Sequence, residues 1–582
     1  MGAESSEEFG EKFAPTAEYG ELLGHSIYFY SKDIGKPVRF VPPAFALKDI
    51  TQIPRYRQFN SRDHGPWLWW LEYGGRLDTI HDSEDIKWQL WKVVYGVWDH
   101  IKNSGRFPEA ENLTLEWVGH IPGKRESRRF EGDYMLIQQD IIEQRAHYDA
   151  VAFGGWSIDL HPADGVFSEK PGCNHWHSKG VYQIPYRCMY SRNVDNLLLA
   201  GRIISSSHVA FGSSRVMATC AHVGQAVGMA AVLCMREGIA PRKLSEHDRI
   251  GSLQQALLRT GHHIPGHSLV EGLGLAKTAD IAASSELLLC ELPPDGPLLP
   301  LVHSAAQMLP LPKGRVPAFD AWVSAHEDTQ LTVQFRVSSK AENHTPDTIL
   351  NEQVIELRKG DHALALDFGV DMREEAYGFI CFLKNEEVSL QYSQMRVTGL
   401  ISVFNKTNAA VSNHGRQNPK EDIGVEAFEF WTPQRRPQGW NIAMRIAGGI
   451  GPFGVTSLCN GIQRPTRRPN AWVADPKDPK PRIELNWNEV RTIRRIELSF
   501  DTDFDHPLES VLLTHPETVI PFCVRNYRIF DASGRLIHET IDNHQTTNRI
   551  DLEQALSVDG ITIECEHPYA NIPASLFQVI VE

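Results

Sequence analysis

Near residue 315 the spacing of apolar residues changes from three or four to two, and this change limits the possible folds more than any motif does. After it, TQLTVQF and ALALDFG alternate strictly, as does much of EVSLQYSQMRVTGLISVF, between short polar turns. That pattern predicts an antiparallel β-sandwich over 313–445. A proline-rich passage containing PKDPKPR leads to IELNWNEV, TIRRIELSFD, RNYRIFD and GITIECE, which predict a second, jelly-roll-like module over 446–582. Before the change the spacing is helical. Trp88, Leu90, Trp91, Val94, Trp98 and Ile101 recur as one face of an amphipathic helix. The expected fold class is therefore multidomain α/β plus all-β.

A chain of 582 residues implies three to five domains. With 58 Lys and Arg against 73 Asp and Glu, the formal charge is -15, and no basic block offers a phosphate-neutralising stripe. No nucleic acid or anionic membrane partner is expected. The nine cysteines are scattered, without a CxxC pair or a tight Cys/His group, and read as buried thiols in a reducing compartment. The opening MGAESSEEFGEKFAP is acidic and polar, and no run of about 18 apolar residues is present. A soluble chain without a signal peptide, cytoplasmic by default, is the expectation.

The segment from Asn193 to Cys234 has its own logic. Leu197 to Ala200 predict a short buried strand that Gly201 ends, a polar stretch runs from Ser205 to His208, and Gly212, Ser213 and Ser214 precede a long helix. That helix carries Ala218, Ala221, Gly224, Gly228 and Ala231 at steps of three or four, a spacing that permits close helix packing. Its first turn would expose unpaired N–H groups and favour an anionic oxygen.

Two other groups carry chemistry-bearing side chains. Asp159, His161 and Asp164 occupy the loop WSIDLHPADG, and His175, Trp176 and His177 stand just before IPYR. A His-x-His pair near carboxylates could hold a metal, but nothing in the sequence fixes a third ligand, and no metal residue is assigned. Arg125, Glu126, Arg128 and Arg129 form a mixed-charge run of the kind that usually coats a solvated face.

Several of these stretches together resemble one family. NLLLAGRIIS, HVAFGSSRVMATCAHVGQAVGMAA and the IPYR of 184–187, with GAESSEEFGEKFAP, WLWWLEYGG, VYGVWDHIKN and PGKRESRRFEGDY, are similar to the FAD-dependent oxidoreductases over roughly residues 1 to 290. The resemblance implies a glutathione-reductase-like FAD fold with a cap domain, divided here as 1–190 for the cap with parts of the FAD fold and 191–312 for the C-terminal FAD motif and a helical region. It implies Gly201 and Arg202 at the ribityl or isoalloxazine end, and Gly212, Ser213, Ser214 and Arg215 at the helix facing the flavin. Oxidation of an alcohol needs a base at the hydroxyl proton, so His175, His177, His161 with Asp159, and His208 are candidates. Arg125 is a candidate for ordering the site, since its forked donors suit a carboxylate, a sugar oxygen or a phosphate.

The pattern departs from the family at one point. No G-x-G-x-x-G following a strand and opening a helix is expected anywhere in the chain. The FAD fold is therefore expected to be incomplete, with weak or no FAD binding by this chain alone, and with the phosphate-gripping unit upstream of Met1 or on a separate N-terminal FAD-binding partner. A small polar or carbohydrate substrate and a possible homo-oligomer complete the expectation. The tail resembles discoidin-like or galactose-binding jelly rolls, with Trp487, Phe500, Asp501 and Phe504 at a sandwich edge and Asn543 to Arg549 as a connecting turn. Two rival readings stand beside the flavoenzyme: a non-catalytic carbohydrate-binding or scaffold protein with a degenerate flavin domain, and a β-sandwich hydrolase using Asp159, His161 or the 175–177 pair. The hydrolase lacks a nucleophile elbow or paired-carboxylate signature.

Overall fold

The computed structural model describes residues 10–13, 16–20, 22–406, 415–433, 440–502 and 522–582. Most of the GAESSEEFG opening, residues 434–439 and Phe504 lie outside the described residues. The chain divides into two units: residues 1–254 with 409–413 and 417–427, and the remainder from Gln255 onward. The first is a mixed α/β region, and the second is built from several large β-sheets.

In the first unit the aromatic stripe forms helix α1, Ser83–Asn103. Glu84 and Asp85 in its first turn and His100 and Lys102 in its last complement the helix dipole. Leu90, Val94, Trp98 and Ile101 are buried in a core with Phe29, Leu68 and Leu71, whereas Trp88 is 42% exposed. His25–Ser26 is the middle strand of a three-stranded sheet, between Glu72–Tyr73 and Gly123–Lys124. Two antiparallel pairs carry the rest: β1 (Ala150–Gly154) with β4 (Tyr182–Pro185), and β2 (Ile158–Leu160) with β3 (Asn174–Trp176).

The expected strand, turn and helix take a different form. Leu197 to Ala200 make a single bridge, Tyr190 with Leu198, because Gly201 (φ +66°) turns the chain out of extended conformation at once. Gly212, Ser213 and Ser214 do not precede the helix; they are the last turn of a separate helix α2, His208–Ser214. The long helix α3 runs over Met217–Glu237. The break falls where the Arg215 guanidinium is drawn to Asp159 and Val216 is extended (φ -67°, ψ 148°).

Helix α3 buries Thr219, Val223, Ala226, Ala230 and Cys234. Ala218, Ala221 and Gly228, the positions expected to pack closely, lie on the exposed face, with Gly224 half-buried beside them. A methyl group added at Gly224 or Gly228 would meet nothing within 4 Å. Met217, Val232 and Met235 on the same helix are 90%, 45% and 84% exposed. Among the described residues α3 is also the one helix long and apolar enough to cross a membrane, by length and composition alone.

In the second unit a seven-stranded and a six-stranded antiparallel sheet enclose one apolar core. Phe319, Ala321, Val323 and Ala325 alternate inward from one sheet, and Leu331, Val333 and Phe335 from the other. A further six-stranded sheet follows, dominated by Arg482–Ser499 paired with Thr547–Cys565. Asp280–Ala283, inside the stretch 191–312 expected to be partly helical, is an edge strand on this sheet, paired with Ile483–Asn486. Trp487 and Phe500 are buried in the core of this sheet rather than displayed at an edge. None of the nine cysteines is in a disulfide.

One expectation about glycines is corrected. Gly449, Gly451 and Gly454 do carry the G-x-G-x-x-G spacing, beginning within the last two residues of the strand Met444–Ile450 and ending just before a 3-10 helix, Val455–Cys459. The strand is antiparallel to both neighbours, and the helix is only five residues long. The helix start is already filled: the Val455 N–H donates to the Glu286 carboxylate at 2.8 Å, and a Cβ on Gly454 would meet that carboxylate at 3.1 Å. An internal anion thus takes the position that a pyrophosphate would need.

Candidate functional site

Strands β2 and β3 pair with Asp159 directly opposite His175, and side chains two apart share a face. This puts Asp159 and His161 from one strand region beside Cys173 and His175 from the other. The result is a buried box of charge. The His161 Nδ1 lies 2.5 Å from Glu72 Oε2, and its Nε2 lies 3.2 Å from Asp159 Oδ1. Arg215, at the end of α2, donates to Asp159 Oδ2 at 2.7 Å and lies 3.1 Å from His161 Nε2. Arg125 pairs with Glu72 and donates to the Trp69 carbonyl at 2.8 Å. Trp69 meets the His161 ring edge-on at 5.5 Å.

Gly212 makes the approach of α2 to this box possible. A Cβ there would meet the backbone O and N of Asp159 at 3.0 and 3.1 Å. Beside it the Ser213 hydroxyl donates to the Trp156 carbonyl at 2.7 Å and lies 2.8 Å from the Tyr182 hydroxyl. Ser214 is buried.

Burial opposes every charge in the box, and the partners decide the outcome. It would raise the carboxyls of Glu72 and Asp159, yet Arg125 and His161 hold the first below its ordinary range, and His161 with Arg215 holds the second well below. Burial would lower His161, but Glu72 and Asp159 raise it above the usual imidazole value. His175 goes the other way: burial lowers it, and Asp159 only partly compensates. The two imidazoles flanking Asp159 therefore shift in opposite directions, His161 upward and His175 downward. Burial and the neighbouring carboxylates Asp159 and Glu72 push the Cys173 thiol up to about 12.

The remaining candidates lie at varying distance from this cluster. His177 stacks on His175, ring centres 6.3 Å apart, and is lowered to about 4 by burial and by His175. His208 belongs to a second buried network, in which Glu126 meets its Nδ1 at 3.1 Å, pairs with Arg129 and accepts from the Leu23 N–H at 2.8 Å. The RESRR run is thus largely internal: Arg125 and Glu126, adjacent in sequence, serve the two networks separately. Arg202 is exposed and donates to the carbonyls of Lys124 and Arg125. Gly201 has open space about it, its nearest neighbour being Cys220 Cβ at 4.0 Å. Buried and without a hydrogen-bond partner are the hydroxyls of Ser205 and Ser206.

Sequence reasoning did not single out Glu72 or Cys173. The signal for Cys173 was present, since C-x-H-x-H in a strand places all three side chains on one face. For Glu72 there was none, because it meets His161 across 89 residues.

An FAD fits these residues only in part. Gly201 and Arg202 leave room at one end, but Gly212, Ser213, Ser214 and Arg215 are engaged internally, and the described residues provide no phosphate-gripping glycine turn.

No curated protein matches the chain. Among solved structures, a family 32 carbohydrate-binding module of Streptococcus pneumoniae EndoD is 14% identical, over 22% of this chain and 85% of its own, with a TM-score of 0.17. The chitosan-binding module 1 of a Paenibacillus sp. IK-5 chitosanase/glucanase gives 15%, 22%, 85% and 0.16, and the family 32 module of C. perfringens NanJ in complex with galactose 15%, 22%, 82% and 0.16. Scores at this level fix neither the fold nor a ligand for the β region. Residues 1–257 match the family described as FAD dependent oxidoreductase, and the N-terminal part of the chain therefore carries a domain of that family.

Proposed function

We propose that residues 1–257 are the substrate-facing part of an FAD-dependent oxidoreductase acting on a small polar, hydroxylated compound. The observation that carries this is the charged box around His161 within the family-matched region. Buried carboxylates, a raised imidazole and a guanidinium in mutual contact are costly to assemble, and such costs are concentrated where chemistry needs them. In this reading His161 holds a proton between Glu72 and Asp159, and Arg215 fixes Asp159 so that it stays ionised. The residues present do not account for a pyrophosphate grip.

The grip is expected on a separate dinucleotide-binding unit, and the open face of α3 is where that unit would pack. Gly224 and Gly228 leave room for a close helix or strand, and Met217, Val232 and Met235 supply apolar area.

The test follows flavin absorbance. The chain alone, mixed with FAD and passed through gel filtration, is expected to emerge without flavin. Produced together with a dinucleotide-binding unit of an FAD-dependent oxidoreductase, it is expected to retain flavin that bleaches anaerobically with a sugar or polyol. His161→Gln should slow that bleaching by about 100-fold or more. Retention of flavin by the chain alone would overturn the division of labour. If the pair held no flavin, the oxidoreductase reading itself would fail.

A further inference from the structure

We propose that Asp159, Cys173 and His175 form a binding site for a divalent cation of the zinc type. The inference stands on these three side chains and does not depend on the flavin reading. Cys173 Sγ lies 3.0 Å from His175 Nε2, which lies 3.5 Å from Asp159 Oδ1, and one donor atom from each lies within 4.8 Å of the others. Zinc bonds of roughly 2.0 to 2.3 Å place tetrahedral donors some 3.3 to 3.7 Å apart, so only small adjustments are needed.

Three details favour a cation here. First, the donors are set by the fold: Cys173 and His175 share one strand face, and the β2–β3 register sets Asp159 opposite. Second, Ser157 Oγ lies 2.7 Å from His175 Nδ1, and the tautomer that donates to it leaves the Nε2 lone pair facing Cys173 and Asp159. Such an outer hydrogen bond is the usual support of a metal-bound imidazole. Third, Asp159 is held in place from its far side, where Oδ2 accepts from Arg215 at 2.7 Å, while the buried Oδ1 lies between His161 Nε2 at 3.2 Å and His175 Nε2 at 3.5 Å.

The donor set is one thiolate, one imidazole and one carboxylate oxygen. That mixture suits zinc, and three protein ligands leave a fourth position for water or a substrate oxygen. Binding converts the Cys173 thiol to a metal-bound thiolate and releases one proton to solvent. The cation's two charges are then matched by Cys173 and Asp159, while Glu72 remains opposite Arg125, His161 and Arg215. Those four groups, with Arg55, are the charges facing the site.

The experiment uses zinc and cobalt(II) as probes of the full chain. Dialysed against zinc and then buffer, the protein is expected to retain about one equivalent, and cobalt(II) should give thiolate-to-metal charge-transfer absorption. Cys173→Ser should abolish that band, Ser157→Ala should weaken cobalt(II) binding about 10- to 100-fold, and His177→Ala should leave it unchanged. Zinc should also protect Cys173, among the nine cysteines, from alkylation read by peptide mass spectrometry. This last measurement needs no variant and stands even if Cys173→Ser fails to fold. No retained zinc, no thiolate band, or a band that survives Cys173→Ser in a folded protein would overturn the site.

Discussion

The interior of the first unit and the sandwich core of the second are both well filled, but with opposite materials. The sandwich core is a continuous set of aliphatic and aromatic side chains, Phe319, Val323, Leu331 and Phe335 among them. The first unit keeps Glu72, Glu126, Asp140, Asp149, Asp159 and His161 inside as well. Burying an apolar side chain stabilises whatever its neighbours are. A buried charge is tolerated only while its partner stays in place. The difference teaches that the sandwich tolerates change by degrees, whereas the charged box fails when any one member is removed.

The largest expected effect tests that contrast directly. Glu72→Leu strands Arg125 and His161 without their carboxylate and should destabilise the first unit by about 3–5 kcal/mol, read by urea dependence of hydrogen exchange in peptides from that unit. A cost under about 1 kcal/mol would erase the distinction. In the sandwich, Leu309→Ala creates a cavity at a fully buried position and should cost about 3 kcal/mol, equally at pH 5 and pH 8.

Acidity should separate the units next. His161 is raised in the folded protein, so its contribution is complete below its unfolded value of about 6.5 and is lost as pH climbs through the folded value. Glu72 and Asp159 are lowered, so theirs is complete above about 4 and is lost as pH falls through their folded values. Peptides of the first unit should therefore lose protection at both extremes, and His161→Gln should remove the alkaline decline. An unchanged alkaline arm in that variant would assign it to another group.

The region's outer surface should respond least, and in one case favourably. Gly228→Ala replaces glycine in an exposed helix interior with open space around it, and should stabilise by up to about 1 kcal/mol. The same methyl should weaken assembly with a dinucleotide-binding unit if that face is the contact. Lys32→Ala, which removes an exposed pair with Glu116, should change stability by less than about 0.5 kcal/mol.

Local physics made some of this legible in advance. The Trp88 to Ile101 spacing correctly gave α1, and period two gave the strands Thr329–Val337 and Gly360–Leu366, because both signals depend on neighbours a few residues away. The box was not legible as a unit: Asp159 meets Arg215 across 56 residues and Glu72 meets His161 across 89. The small residues of α3 were expected to pack closely, but spacing does not say which face turns inward, and here Val223, Ala226 and Ala230 do, leaving Ala218, Ala221 and Gly228 outside. Likewise Gly449, Gly451 and Gly454 match a phosphate-loop spacing whose meaning depends on the strand direction and helix length around it.

Helix α3 also bears on how the protein behaves in a tube. Met217, Val232 and Met235, exposed among the described residues, make self-association a matter of concentration: clumping should grow roughly with the square of protein present and subside when a mild detergent coats that ridge. Storage life, and not melting temperature, is the property in which that ridge would first be noticed.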